Sequence, residues 1–114
     1  MYTLKILNKT SHGQLLFCPQ KDLFQLLFNN LNFNLSRAEM YSFTKYLKHL
    51  NIDYWEKEYE NSVYEKKIPI PTLLNNFIIL LDRKEVEELR FLLCVNQPQQ
   101  FLSSVEIDYI LIYN

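Results

Sequence analysis

Glycine is nearly missing from this chain, Gly13 being its only one. That scarcity excludes the glycine-rich turns that cradle phosphates or dinucleotides, and it excludes collagen-like segments. Cysteine is almost as rare. Cys18 and Cys94 lie far apart and fit neither a disulfide framework nor a paired CxxC zinc signature, so both are expected to be reduced thiols. No segment approaches the ~20 consecutive apolar residues of a membrane helix, and the start, MYTLKILNKT, has no apolar run behind a basic one. A cytoplasmic protein with no membrane partner is expected. Charge of either sign is also short of excess: 12 Lys and Arg stand against 13 Asp and Glu, a net charge of −1. No global field therefore steers nucleic acid toward the protein, and any such binding needs a local patch. HExxH and GxSxG are absent, so catalysis is not indicated. His12, Cys18, His49 and Cys94 are scattered soft ligands rather than a closely spaced set, and no metal or cofactor is expected.

What the chain does have is apolar content, 48% of 114 residues, with 15% aromatic. That is enough to bury one core in one domain, residues 1–114, without a staple. Tyr2, Leu4 and Ile6 alternate as in a half-buried strand, and Thr10 to Gly13 make a turn in which glycine can supply a positive φ. Gln14 to Cys18 returns as a second strand, ended by Pro19. Asp22 to Phe28 and Leu31 to Leu35 flank Asn29 and Asn30, a pair suited to a tight two-residue turn. That loop would set Phe28 opposite Leu31, Leu26 opposite Phe33 and Phe24 opposite Leu35 on one face.

Ser36 and Glu39 form the SxxE pattern of a capping box. Met40, Phe43, Leu47 and Leu50 then recur at helical spacing, with Asn51 as the stop. The pattern returns at a constant offset of 46, carrying Asn29 to Asn75, Ser36 to Asp82 and Glu39 to Glu85. Two ββα units, about 22–50 and 68–95, are predicted, from duplication or from convergent capping rules. An Asn75-Asn76 turn would pair Leu74, Thr72 and Ile70 into the ladder. The nitrogens of Pro69 and Pro71 then point away from the partner strand. Between the units, Trp55, Tyr59 and Val63 at i, i+4, i+8 predict a short helix or ordered crossover. Its aromatics, Tyr54, Trp55 and Tyr59, suit a lid over the sheet or the wall of a small-molecule pocket. After a loop over residues 96–104, VEIDYILIY reads as a terminal strand, inside the sheet or at a subunit contact. The fold class is α+β, a mainly antiparallel sheet with two principal helices, an N-terminal hairpin and this C-terminal strand.

Two surfaces stand out. On the helix opening at Asp82, Val86, Leu89 and Leu93 point inward and Phe91 outward. Phe91 either packs under Phe101 and Leu102 or, with Tyr109, Leu111 and Tyr113 of the terminal strand, marks a protein interface. On the helix opening at Ser36, Arg37, Tyr41, Lys45 and Lys48 share the face opposite the core. That face is either an ordinary solvated one or a site for nucleic acid or another anionic partner. The preferred function is a non-enzymatic protein-interaction module, self-associating or docking another protein, with anionic-partner binding as the alternative.

LKILNKT, FNNLNFNLSRAE, DYWEKEY, KKIPIPTLLNN and EVEELRFLL together resemble a family of short proteins of unknown function found chiefly in Bacteroidota. The resemblance covers most of the chain and implies a bacterial intracellular protein, with no activity attached. Some members of that family carry a CxxC-like pair after the second strand, whereas here Lys21 stands at that spacing from Cys18.

Overall fold

Asparagine is among the few residues that enter the left-handed region at little cost, and the chain uses it to turn. In the computed structural model, which describes residues 3–72 and 74–94, Asn29 has φ 53°. The strands it joins, β3 (Leu23–Phe28) and β4 (Leu31–Leu35), pair Phe28 with Leu31, Leu26 with Phe33 and Phe24 with Leu35, the register expected of a two-residue loop. With β1 (Lys5–Lys9) and β2 (Gly13–Cys18) they form an antiparallel sheet in the order β1-β2-β3-β4. Its inner face presents Leu15, Phe17, Phe24, Leu26 and Phe28, all buried. Each such side chain contributes about 1.5–3 kcal/mol relative to exposure, so burying this face contributes substantially to stability.

β1 departs from simple alternation. Its pairing with β2 shifts between Ile6 and Asn8, which makes Leu7 the extra residue of a bulge. Leu7 packs on the core, while Leu4 and Ile6 are exposed, so the period-two reading put the wrong residues inward. Tyr2, the first residue of that pattern, lies outside the described residues. The bulge also brings Asn8 to the inner face, where its amide donates to the carbonyls of Phe91 and Leu92 at 2.9 and 3.3 Å. Gly13 likewise has a different reason from the one expected. No glycine has positive φ. Instead, a Cβ at Gly13 would sit 2.4 Å from the Leu27 carbonyl oxygen, so glycine is required for close approach.

Both principal helices start on complete capping boxes. Ser36 and Glu39 open α1 (Arg37–His49), and Asp82 and Glu85 open α3 (Arg83–Leu93). Their apolar stripes, Met40 and Leu47 on α1 and Val86, Leu89, Leu92 and Leu93 on α3, face the same sheet surface. α1 lies against β3 and β4, α3 against β1 and β2, and the two helices touch. α1 ends directly before Asn51, as expected, but Asn51 has a second role. Leu50 ends that helix, and Asn51 caps the next one, α2 (Ile52–Glu58), by accepting from the Tyr54 amide at 3.0 Å. The crossover is thus helical as predicted, but it ends before Val63, which is exposed.

The second hairpin, β5 (Ile68–Pro71) and β6 (Ile78–Leu81), is a separate two-stranded sheet. It pairs Ile68 with Leu81 and Ile70 with Ile79, a slip of two residues from the register expected of a two-residue Asn75-Asn76 loop. Asn75 and Asn76 still turn, closed by the Phe77 amide on the Leu74 carbonyl at 3.3 Å. The slip has a packing reason. The expected register would face Thr72 into the core beside Ile79, where a hydroxyl needs a partner. In the observed one Ile68 and Ile70 stay buried on that same face. Thr72 moves into the loop, where its hydroxyl donates to the Phe77 carbonyl at 2.7 Å and accepts from the Leu74 amide at 3.2 Å. Because the slip is even, Pro69 and Pro71 keep the parity that turns their nitrogens away from β6.

The architecture is therefore α+β, with a four-stranded and a two-stranded antiparallel sheet and three helices among the described residues. The loop over residues 96–104 and the strand expected over residues 105–113 lie outside them.

Candidate functional site

α1 and α2 are joined only through Leu50 and Asn51, so whatever holds that joint sets the groove between the helices. Arg90 of α3 holds it: its Nε donates to the Leu47 carbonyl and its Nη2 to the Leu50 carbonyl, both at 2.8 Å. A cation on the last carbonyls of a helix satisfies orphan acceptors and opposes the negative end of the dipole. The groove, of about 560 Å³ and open to solvent, is floored by Leu50, Trp55 and Tyr46 and rimmed by Ser42, Lys45, His49 and Asn51. Tyr46 is fixed by donating its hydroxyl to the Pro69 carbonyl at 3.2 Å, and burial pushes its phenol above the ordinary value. Trp55 stands in a row of rings. Tyr54 meets it edge-on at 5.0 Å, Tyr59 stacks at 5.6 Å, and Tyr64 meets Tyr59 edge-on at 5.7 Å. Trp55 packs on the core as a lid residue would, and it also lines this groove.

The face of Arg37, Tyr41, Lys45 and Lys48 is only partly assembled. Tyr41, Lys45 and Lys48 are exposed, and the Lys45 ammonium lies 6.0 Å from the Tyr41 ring centroid. Arg37 is drawn toward the sheet instead. Its Nε donates to Asp22 at 2.7 Å and its guanidinium lies over the Phe17 ring at 5.5 Å. The link to Asp22 crosses the β2-β3 turn, where Asp22 has φ 54°, and nothing in helical spacing signals it.

Apolar exposure is concentrated elsewhere. Leu74, Phe77 and Ile78, at the tip of the β5-β6 hairpin, are 62%, 50% and 55% exposed. Phe91 on α3 is 59% exposed. Tyr109, Leu111 and Tyr113 lie outside the described residues, as do Phe101 and Leu102. The tip escapes sequence reading because the expected register pairs Leu74 with Phe77 inside the strand; only the two-residue slip carries them outward.

Charged pairs elsewhere tie elements together. Arg83 links α3 to α2 by donating to Glu56 at 2.7 and 3.3 Å and to Asp53, and these bonds, Glu56 first, push its pKa further up. Lys66 donates to Glu85 at 2.8 Å, which raises its pKa. Glu88 accepts from the Thr10 hydroxyl and from His12, by its amide at 3.0 Å and its ring Nδ1 at 2.9 Å. The Thr10 bond is the main reason its carboxyl lies below the usual value of 4.5. A depressed carboxylate stabilises the fold above its unfolded pKa, and that stability is lost as pH falls through the folded value. Thr10→Val should therefore lower the urea midpoint at neutral pH and shrink its further drop on acidification. An acid drop as large as the parent's would rule out the Thr10 bond as a contributor.

Among the described residues no group of three or more His, Cys, Asp and Glu side chains is placed to hold a metal, and no helix is long and apolar enough to cross a membrane. Cys18 is buried and Cys94 exposed, both as free thiols. No curated protein and no solved structure matches the chain. A family model does match, over residues 1–114, and by it the chain belongs to a family of unknown function, DUF6686.

Proposed function

We propose that this protein is a non-enzymatic interaction module that docks a protein surface, a second copy of itself or another protein, through the apolar tip of the β5-β6 hairpin. The observation that carries this reading is the joint exposure of Leu74, Phe77 and Ile78 within five consecutive residues. Large apolar side chains grouped on a surface leave water unfavourably exposed, and a partner relieves that cost. Phe91 is a second exposed apolar element. Free Cys18 and Cys94 suit a reducing compartment, which supports a cytoplasmic location in this reading. The matching caps of α1 and α3 support a duplicated ββα origin, with the second hairpin since re-registered.

Light scattering across a concentration series tests the docking surface. The parent should associate, or should be captured with a defined partner, and Phe77→Asp should abolish either behaviour while Phe91→Asp weakens it. A parent that stays monomeric at every concentration and captures nothing sinks the proposal.

A further inference from the structure

We propose that the groove between α1 and α2 binds an acidic peptide segment, seating one bulky apolar side chain on Trp55 and Leu50 and its flanking carboxylates on Lys45 and His49. The groove is open rather than enclosed, which suits a length of chain better than a small molecule. Its floor is built in advance: Tyr46 is tied to Pro69, Trp55 is held between Tyr54 and Tyr59, and Arg90 pins the carbonyls of Leu47 and Leu50. A preformed floor spares a ligand the cost of ordering it.

Charge decides what kind of segment fits. No acidic residue lines the groove. The one acid of α1, Glu39, is spent in its capping box, leaving Lys45, Lys48 and His49 along the rest of the helix. On the α2 side, Asp53 and Glu56 share the single charge of Arg83, and Lys57 and Glu58 are exposed. The groove itself thus presents Lys45 and His49 with no carboxylate beside them in its lining, and carboxylates of a ligand complement them. A nucleic acid fits less well. Its backbone needs an extended row of cations, while this rim is short, Glu58 lies nearby, and the stacked Tyr59 already covers a face of Trp55.

Trp55 is the only tryptophan in the chain and reports directly on the groove. The full chain is titrated, following Trp55 emission, with a capped pentapeptide that has phenylalanine at its centre and glutamates on either side. The same peptide with glutamines and a single-stranded oligothymidine serve as comparisons. Saturable emission change is expected for the glutamate peptide, with affinity falling as salt rises and about tenfold weaker for the glutamine peptide and for a Lys45→Glu, His49→Gln double variant. Both substituted side chains are exposed, so the variant should keep the parent's unfolding midpoint; if it does not, Lys45→Gln alone should still weaken binding. Phe77→Asp should leave binding intact, which separates this site from the hairpin tip. The proposal is overturned by no saturable change, by equal binding of the two peptides, or by oligothymidine binding more tightly than the glutamate peptide.

Discussion

Gly13→Ala should destabilise the protein by about 3 kcal/mol, a large share of the 5–15 kcal/mol typical of a domain. The added Cβ would lie 2.4 Å from the Leu27 carbonyl oxygen, 3.0 Å from Leu92 Cδ1 and 3.2 Å from Phe28 Cδ1. The two side chains can shift. The carbonyl cannot, because it belongs to β3 in the middle of the sheet, directly beside the Gly13-Phe28 pair. Alanine also stiffens the unfolded chain, which favours folding by about 0.4–1 kcal/mol, too little to offset the clash. Asparagine separates this cause from the one suggested by the turn. If Gly13 served a left-handed backbone, Gly13→Asn would be tolerated; since the constraint is space, it should unfold at still lower urea than alanine. A Gly13→Asn protein with the parent's urea midpoint would refute the steric account.

Arg90→Ala is expected to cost about 3 kcal/mol, because each hydrogen bond from a charged donor contributes about 1.5–3 kcal/mol and water recovers part of the two that are lost. The Leu47 and Leu50 carbonyls that Arg90 serves close α1 just where α2 begins. Loss should therefore reach beyond global stability, changing the near-UV signal of Trp55, which lines the adjoining groove. Arg90→Lys should recover less than half of the loss, since an ammonium lacks the planar fork that reaches both oxygens at once. A stability within about 0.5 kcal/mol of the parent for Arg90→Ala would show the pair of bonds to be incidental, that being the range of surface substitutions.

The hairpin at Asn29, the caps at Ser36 and Asp82, and the inward stripes of α1 and α3 were legible in the residues themselves. Each rests on contacts closing within a few positions: a two-residue turn, a side chain reaching its third neighbour, a stripe repeating every turn. The candidate sites were less so. Arg37 looked like part of a solvent face until Asp22 and Phe17, on other elements, claimed it. Asn51 fits a helix stop and a helix start equally by composition, and only the bond from the Tyr54 amide shows the start. Arg90 and Asn8 carry no local signal at all, because the carbonyls they serve belong to other elements.

From the order of residues alone follow the fold class, the places where the two principal helices begin, and the absence of HExxH and GxSxG, since all three are written in short-range spacing. The bulge at Leu7, the slip that exposes Leu74 and Phe77, and the groove beneath Lys45 follow only from packing. Strands and helices far apart in the chain compete there for one buried volume, and the winner of that competition leaves no mark on the residues beside it.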